Sequence, residues 1–426
     1  IVLKLIFIFI LLPTPAYAYL DPGTGSMLVS AIIGIIASLF FSLKKIYYGF
    51  STSLFVILGM KLKRKKQPIP LVFYSEGKQY WNTFKPVIQE LILRKTPCAY
   101  FTQDLADPGL KLSSPYYSSE FIGIGNTGFT RMNFLEATVC AMTTPGLDVL
   151  QIKRSKGVRH YAHLVHAPTD MGTYKLFSFD YYDSIFVSGE HQTKSIRSLE
   201  KLRGTHPKQI YDIGCLYYDE LAKSLKGNKS NGINKQTTIL VAPTWGKNGL
   251  LSKYGVQLLN PLLESGHQII IRPHPQSYIS EAKMMEELKQ SLQGHKNLTW
   301  NREANGLEVM SQADILISDL SGIIFDFAFL FNKPVITMKF SIDKRGTESN
   351  HLPYDIWELG VLNIIGRQVS ESDISIIDKI VTEFLGSNIQ EDKIRTLRNK
   401  SVYNFGNAAS SAAEQLIELI QLQNID

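Results

Sequence analysis

Cysteine is scarce in this chain, and the scarcity excludes two classes of protein at once. Cys98, Cys140 and Cys215 are scattered through 426 residues, and none belongs to a C-x-x-C pair. A disulfide framework needs an even set of cysteines, and a structural zinc site needs clustered thiolates; neither fits. Buried free thiols in a reducing compartment are the expectation. The chain also has no H-E-x-x-H helix, no carboxylate cluster and no G-x-S-x-G turn. Their absence removes the zinc-peptidase and nucleophile-elbow readings, and no metal site is expected. A basic body is missing too. Lys and Arg number 45 against 38 Asp and Glu, but residues 1–75 alone hold eight of the bases and one of the acids. That leaves 37 of each for the rest, so a body that grips nucleic acid by its phosphates is not expected.

Apolar material is ample, at 44% of residues with 11% aromatic. At this length the composition supports two or three units with real cores. The first 66 residues read as a membrane address. Within 1–18, Lys4 precedes an apolar run, then Pro13, Pro15 and Ala16-Tyr17-Ala18 follow, which is a signal-like layout. Within 19–66, an uncharged apolar run over 27–43 is closed by Lys44 and Lys45. It sits at the short limit for a spanning helix. A second stretch, 46–60, carries Tyr47 and Tyr48 and ends in Lys61-Leu62-Lys63-Arg64-Lys65-Lys66. One span at 27–43 places both basic clusters, and everything after them, in the cytoplasm. The 46–60 stretch is then interfacial. The expectation is a transmembrane anchor in the inner (cytoplasmic) membrane with the body facing the cytoplasm.

The body reads as α/β in two halves, 67–225 and 236–405, with a closing helix in 406–426. Between the halves, 225–235 is polar and turn-rich. In the first half the patterning predicts strands at 71–74, 98–101, 121–124, 149–152, 184–188 and 209–213, and helices at 78–94, 133–142 and 191–202. In the second it predicts strands at 238–242, 267–271, 298–300, 315–318 and 334–338, and helices at 254–265, 281–292 and 322–331, before a closing helix at 408–423. Such alternation implies two doubly wound, Rossmann-like domains with parallel sheets, facing a cleft at their carboxyl strand ends.

Four strand-end motifs carry candidate chemistry. The first is His163-Leu164-Val165-His166-Ala167-Pro168. The two histidines point to opposite faces of an extended segment, and His166, at the turn, is the candidate general base. The second is Pro243-Thr244-Trp245-Gly246-Lys247, where Thr244 and the following amides suit an anion and Trp245 suits a stacked base or a packed interface. The third is Arg272-Pro273-His274-Pro275 after three isoleucines. The prolines keep the loop extended, so Arg272 and His274 share a side, a pairing that suits phosphate better than metal. The fourth is Ser318-Asp319-Leu320-Ser321-Gly322, running into a helix that contains Asp326. Ser321 reads as its N-cap, with the amides of Gly322 and Ile323 offered to an anion. Gly123-Ile124-Gly125-Asn126-Thr127-Gly128 also matches G-x-G-x-x-G. It does not follow the first strand, so it is a weak dinucleotide signal.

Together these motifs resemble the CDP-glycerol glycerophosphotransferase family of teichoic acid polymerases and primases, over roughly 145–365. The family's His-Gly-x-Pro element looks like His166-Ala167-Pro168. Its Arg-x-His-Pro element is Arg272-Pro273-His274-Pro275. Its Asp-Tyr-Ser-Ser…Phe-Asp element is Asp319-Leu320-Ser321-Gly322…Phe325-Asp326, and its Pro-Thr-aromatic-Arg element is Pro243-Thr244-Trp245-Gly246. Ala167, Gly246 and Gly322 depart from the family's Gly, Arg and Ser, with Lys247 beside the missing Arg. The resemblance implies a GT-B fold, transfer without a metal or other cofactor, and a place on the inner membrane face. It implies CDP-glycerol, or a related CDP-polyol, as donor and a lipid-linked or polymeric acceptor in cell-envelope polymer synthesis. His166 would act as base and His274 on the leaving phosphate. Thr244, Trp245, Lys247, Arg272, Asp319, Ser321, Gly322 and Asp326 would line the donor site. Two other readings share these residues: a sugar-nucleotide glycosyltransferase or epimerase on the same fold, and a non-catalytic membrane protein with a decayed nucleotide site.

Overall fold

The computed structural model describes residues 68–225, 236–303, 306–339, 343–386 and 390–425. The signal-like segment, the 27–43 run and the basic cluster lie outside these residues, as does most of the 225–235 boundary. Among the described residues no helix is long and apolar enough to cross a membrane.

The first half builds seven strands: Ile69–Ser75 (β1), Cys98–Thr102 (β2), Tyr117–Phe121 (β3), Glu136–Met142 (β4), Gly157–Leu164 (β5), Ser184–Val187 (β6) and Gln209–Asp212 (β7). The second builds six: Thr238–Val241 (β8), Gln268–Ile271 (β9), Leu298–Trp300 (β10), Ile315–Ser318 (β11), Val335–Met338 (β12) and Gly366–Val369 (β13). The sheet orders are β3-β2-β1-β4-β5-β6-β7 and β10-β9-β8-β11-β12-β13. Every ladder is parallel. In each sheet the order reverses beside its first strand, which opens a crevice at the carboxyl ends. The fold is thus the expected pair of doubly wound sheets.

The helices of the first half are Trp81–Leu93 (α1), Asn126–Asn133 (α2), Glu190–Arg203 (α3) and Leu216–Leu225 (α4). Those of the second are Leu250–Glu264 (α5), Ser277–Ser280 (α6), Ala282–Ser291 (α7), Leu307–Gln312 (α8), Ile323–Phe331 (α9), Trp357–Ile365 (α10), Ile377–Leu385 (α11) and Gln390–Ser401 (α12). Ala408–Ile425 (α13) closes the chain by returning to the first half. Its Ala409, Ala412, Ala413 and Leu416 pack with Leu71, Phe84 and Val139. The return is close-fitting at Gly214, where φ is +96° and a Cβ would lie 2.0 Å from the Tyr403 carbonyl. Only glycine fits there.

Three of the elements expected in the first half differ from the structure, and β5 and α4 have no counterpart in the patterning. Residues 133–142 were expected as helix, but β4 occupies Glu136–Met142 and a short α2 precedes it. The run Ala137 to Met142 is buried throughout. Without alternation its period does not separate a central strand from a buried helix. The strand expected at 121–124 lies earlier, at β3, and 149–152 is a loop ahead of β5. The glycine-rich loop does join β3 to α2, but on the sheet edge. Its Gly125 amide is taken by the Gln103 Oε1 at 2.7 Å, and Gln103 also fills the space beside Gly128. All three cysteines are free and buried.

The two halves are tied by polar contacts. Asp170, in the loop after β5, caps α10 from across the boundary: its Oδ2 accepts the Trp357 amide at 2.9 Å. In return the Asp170 amide donates to the Glu358 Oε1 at 2.8 Å. Glu358 is 2% exposed, and burial, with Asp170 beside it, pushes its carboxyl up to about 7. A raised acid weakens the fold as pH rises from its ordinary value through the folded one. Glu358→Gln keeps the acceptor and removes that cost. Its thermal midpoint should exceed that of the wild type increasingly from pH 4.5 to above 7. The gain is on the order of 3 kcal/mol at most. An offset independent of pH in thermal scans would contradict this.

Candidate active site

The site begins where β5 ends. After Leu164 the chain turns through His166, whose ring meets Tyr80 edge-on at 5.4 Å and Tyr174 at 6.3 Å between centroids. Burial holds this imidazole below its ordinary value, so at neutral pH it is uncharged and able to accept a proton. Alternation sends His163 to the opposite face, but its ring also meets Tyr174 edge-on, at 6.4 Å between centroids. It is fully buried against Phe179 and Tyr182, and burial pushes it down to about 3. His163 is therefore a neutral core residue.

In the second half Arg272 follows β9. Its guanidinium donates to the Asn301 Oδ1 and, at 2.8 Å, to the Glu303 carbonyl. It lines a cavity of about 500 Å³ with Asn82, Tyr217, Gly306, Ile323 and Asp326. A Cβ at Gly306 would stand 3.0 Å from the Arg272 Nε, so glycine gives the guanidinium its room. Burial pushes Asp326 up to about 7, with the Tyr218 hydroxyl offsetting part of the rise. A guanidinium and a carboxyl on one wall suit a ligand carrying both phosphate and hydroxyl groups. A smaller hollow on the other side of Arg272 is walled by Pro273, Pro275, Tyr278, Asn301 and Arg302.

His166 is not itself among the residues that line this cavity, but two helix starts link it to residues that do. Tyr80 packs on His166 while Asn82, two residues on, lines the cavity. The Cys215 Sγ lies 4.0 Å from the His166 carbonyl, while Tyr217, again two residues on, lines the cavity.

The remaining candidates fall into distinct places. His274 and Trp245 come together, rings 6.4 Å apart and tilted by 33°. Both are exposed, and the His274 Nδ1 accepts the Gln276 amide at 3.1 Å. Asp319 is 7% exposed and gives both oxygens to one loop, accepting the Thr244 amide at 2.7 Å and the Leu250 amide at 2.8 Å. It shapes the Thr244 loop. Lys247 lines a separate hollow with Ser252, Glu281 and Lys283, so it does not join Arg272 on the cavity wall. Ser321 is not the N-cap of α9. Gly322 holds that position in a right-handed helical conformation, and no side chain caps the helix. The turn is already helical at Gly322, so the Ser321 carbonyl rather than its hydroxyl takes the Ile324 amide, at 3.1 Å. No atom lies within 4 Å of a Cβ built at Gly322. Among the described residues no three His, Cys, Asp or Glu side chains gather as a metal site requires.

Tyr80, Asn82, Tyr174 and Tyr217 escaped the sequence reading, since only packing between distant segments brings them in. Asn301 and Glu303 did carry a signal: they follow the strand at 298–300, where a ligand-facing loop belongs.

Two facing doubly wound sheets with a site at their carboxyl ends define the GT-B class. UDP-GlcNAc 2-epimerase from Neisseria meningitidis shares the fold with a TM-score of 0.53 at 14% identity, over 82% of this chain and 99% of that one. The Methanocaldococcus jannaschii UDP-GlcNAc 2-epimerase does so with a TM-score of 0.51 at 15% identity, over 82% and 99%. The chain belongs to the CDP-glycerol:poly(glycerophosphate) glycerophosphotransferase family, whose model matches residues 157–420. The teichoic acid glycerol-phosphate primase of Bacillus subtilis (strain 168) is 25% identical over 274 residues, 62% of this chain. The match spans 65% of that primase, just under two thirds of its length.

Proposed function

We propose that this chain transfers glycerol phosphate, or a related polyol phosphate, from its CDP donor to a hydroxyl of a lipid-linked or polymeric acceptor. The product would be a cell-envelope polymer of the teichoic acid type. The observation that carries the reading is the cavity that Arg272 and Asp326 line, with His166 packed on Tyr80, two residues from the lining Asn82. Family membership supplies the donor class.

In this reading the nucleotide lies on the second half. Arg272 binds the pyrophosphate, and the amides at Gly322 face it. Asp326 accepts hydrogen bonds from hydroxyls. His166 takes the proton of the acceptor hydroxyl, whose oxygen attacks the phosphorus that bears glycerol. The bond from that phosphorus to the bridging oxygen breaks, a phosphodiester forms and CMP leaves. His274 stands in the loop that would meet the departing phosphate. Such chemistry depends on positioning and on stabilising spread phosphate charge. The apolar run at 27–43 would anchor the chain in the inner membrane, with the site facing the cytoplasm beside a lipid-linked acceptor.

Calorimetry on the full chain tests the donor. CDP-glycerol should bind, and Arg272→Ala should weaken it by roughly 10–100-fold through loss of charge-assisted bonds. Asp319→Ala should also weaken it, by releasing the Thr244 loop. Binding of UDP-GlcNAc in preference to CDP-glycerol would reject the reading.

A further inference from the structure

The loop that carries His166 is held residue by residue from one helix turn. Gln192, in the first turn of α3, is fully buried. Its Nε2 donates to the carbonyls of Ala167 at 3.0 Å and Thr169 at 2.8 Å, and its Oε1 accepts the Ser188 amide at 2.7 Å. The neighbouring His191 Nε2 lies 2.7 Å from the Pro168 carbonyl, which can only accept, so this nitrogen donates. The Ser195 hydroxyl donates to the Asp170 Oδ1 at 2.8 Å. Four consecutive residues after His166 are therefore each fixed by α3. The anchor reaches the second half as well: the His191 ring stacks on Trp357 at 4.2 Å, and Asp170 caps α10 through the Trp357 amide.

An amide at position 192 is not needed for packing, since a leucine would fill similar space. All three of its bonds go to the loops that follow β5 and β6. We propose that Gln192 is a positioning residue for the catalytic base, fixing the 167–169 backbone so that the His166 ring stays in place between Tyr80 and Tyr174. This rests on the reading of His166 as base. Gln192 touches no reacting atom. Its loss would let the loop swing, and a displacement of about 1 Å at a base costs on the order of 100-fold in rate.

The test compares the wild type with Gln192→Leu and Gln192→Glu in the full chain. Leucine removes all three bonds. Glutamate keeps the acceptor for Ser188 and sets a carboxylate against two carbonyls. Three readouts are taken: kcat with CDP-glycerol, donor affinity by calorimetry, and the His166 imidazole titration by NMR, assigned by its loss in His166→Ala. The titratable groups nearest His166 are Tyr80 and Tyr174 at its ring, His163 beside it and Cys215 at its carbonyl, and neither substitution alters them. Expected is a fall in kcat of roughly 10–100-fold with donor affinity unchanged. The His166 titration should rise toward the ordinary histidine value as water reaches the ring. Should one variant fail to fold, as judged by donor binding, the other decides. An unchanged kcat and an unchanged His166 titration in a folded variant would overturn the proposal. If the wild type turns over no CDP-glycerol, the transferase reading fails separately, and the imidazole titration still decides the role of Gln192.

Discussion

His166→Ala is expected to lower the transfer rate by about 10²–10⁴-fold, the range for removing a positioned general base. Donor affinity should not change, because the ring meets Tyr80 and Tyr174 in the first half while the donor groups proposed above belong to the second. The pH profile gives a second check on the same residue. Burial lowers the affinity of this imidazole for a proton. The neutral, base-competent form therefore persists to more acid pH than for a solvated histidine, whose value is about 6.5. The acid limb of kcat should fall below that value in the wild type. Steady-state rates from pH 5 to 8 measure it; a limb at or above the ordinary value would place the base elsewhere.

Glu348→Ala is expected to destabilise the body by up to about 3 kcal/mol, the low end of the cost of breaking a buried ion pair, since Arg203 keeps one of its two carboxylates. Glu348 comes from the second half and is fully buried. It accepts the Ser178 amide at 3.0 Å and pairs with Arg203 of α3, which also meets Asp180 at 2.7 Å. The adjoining backbone continues the seam: the Glu348 amide donates to the Tyr174 carbonyl at 2.8 Å, and the Leu176 amide to the Gly346 carbonyl at 3.2 Å. Removing the carboxylate leaves Arg203 with Asp180 alone in a 10% exposed position. Replacing both partners, as in Arg203→Met with Glu348→Leu, should recover part of the loss, because only the Asp180 carboxylate, 14% exposed, then lacks its partner. Denaturant midpoints of the two single variants and the double variant decide this. A Glu348→Ala loss below about 1 kcal/mol would mean that water reaches the pair and screens it.

As far as β12 the second half was more legible in the sequence than the first, whereas β13 and the helices α10 to α12 have no counterpart in the patterning. Its strands are short apolar runs between turn residues, and those at 298–300 and 315–318 lie where the patterning placed them. Strand β4 failed because it is central, between β1 and β5; burial on both faces erases the alternation that marks a strand. Strand β5 was legible only at its end, because the buried His160, Tyr161 and His163 interrupt the apolar run that marks a central strand. The strand-end motifs were legible because prolines and glycines mark the ends of buried runs. Which of their side chains meet was not. Lys247 follows Thr244 closely yet lines another hollow, and Ser321 loses the capping role to a helical Gly322. Asp319 reads as a ligand group, while both its oxygens are bound by the loop beside it. Tyr80, Asn82 and Tyr217 reach the site through the packing of α1 and α4, which no local pattern encodes.

Nucleotide release tests the central claim most directly. Membranes carrying the full chain would be offered CDP-glycerol and, separately, UDP-GlcNAc, with wild type and His166→Ala compared. Expected is CMP from CDP-glycerol, at least about 100-fold slower in His166→Ala, with UDP-GlcNAc left unchanged. Epimerisation or UDP release from UDP-GlcNAc, with no CMP from CDP-glycerol, would contradict it.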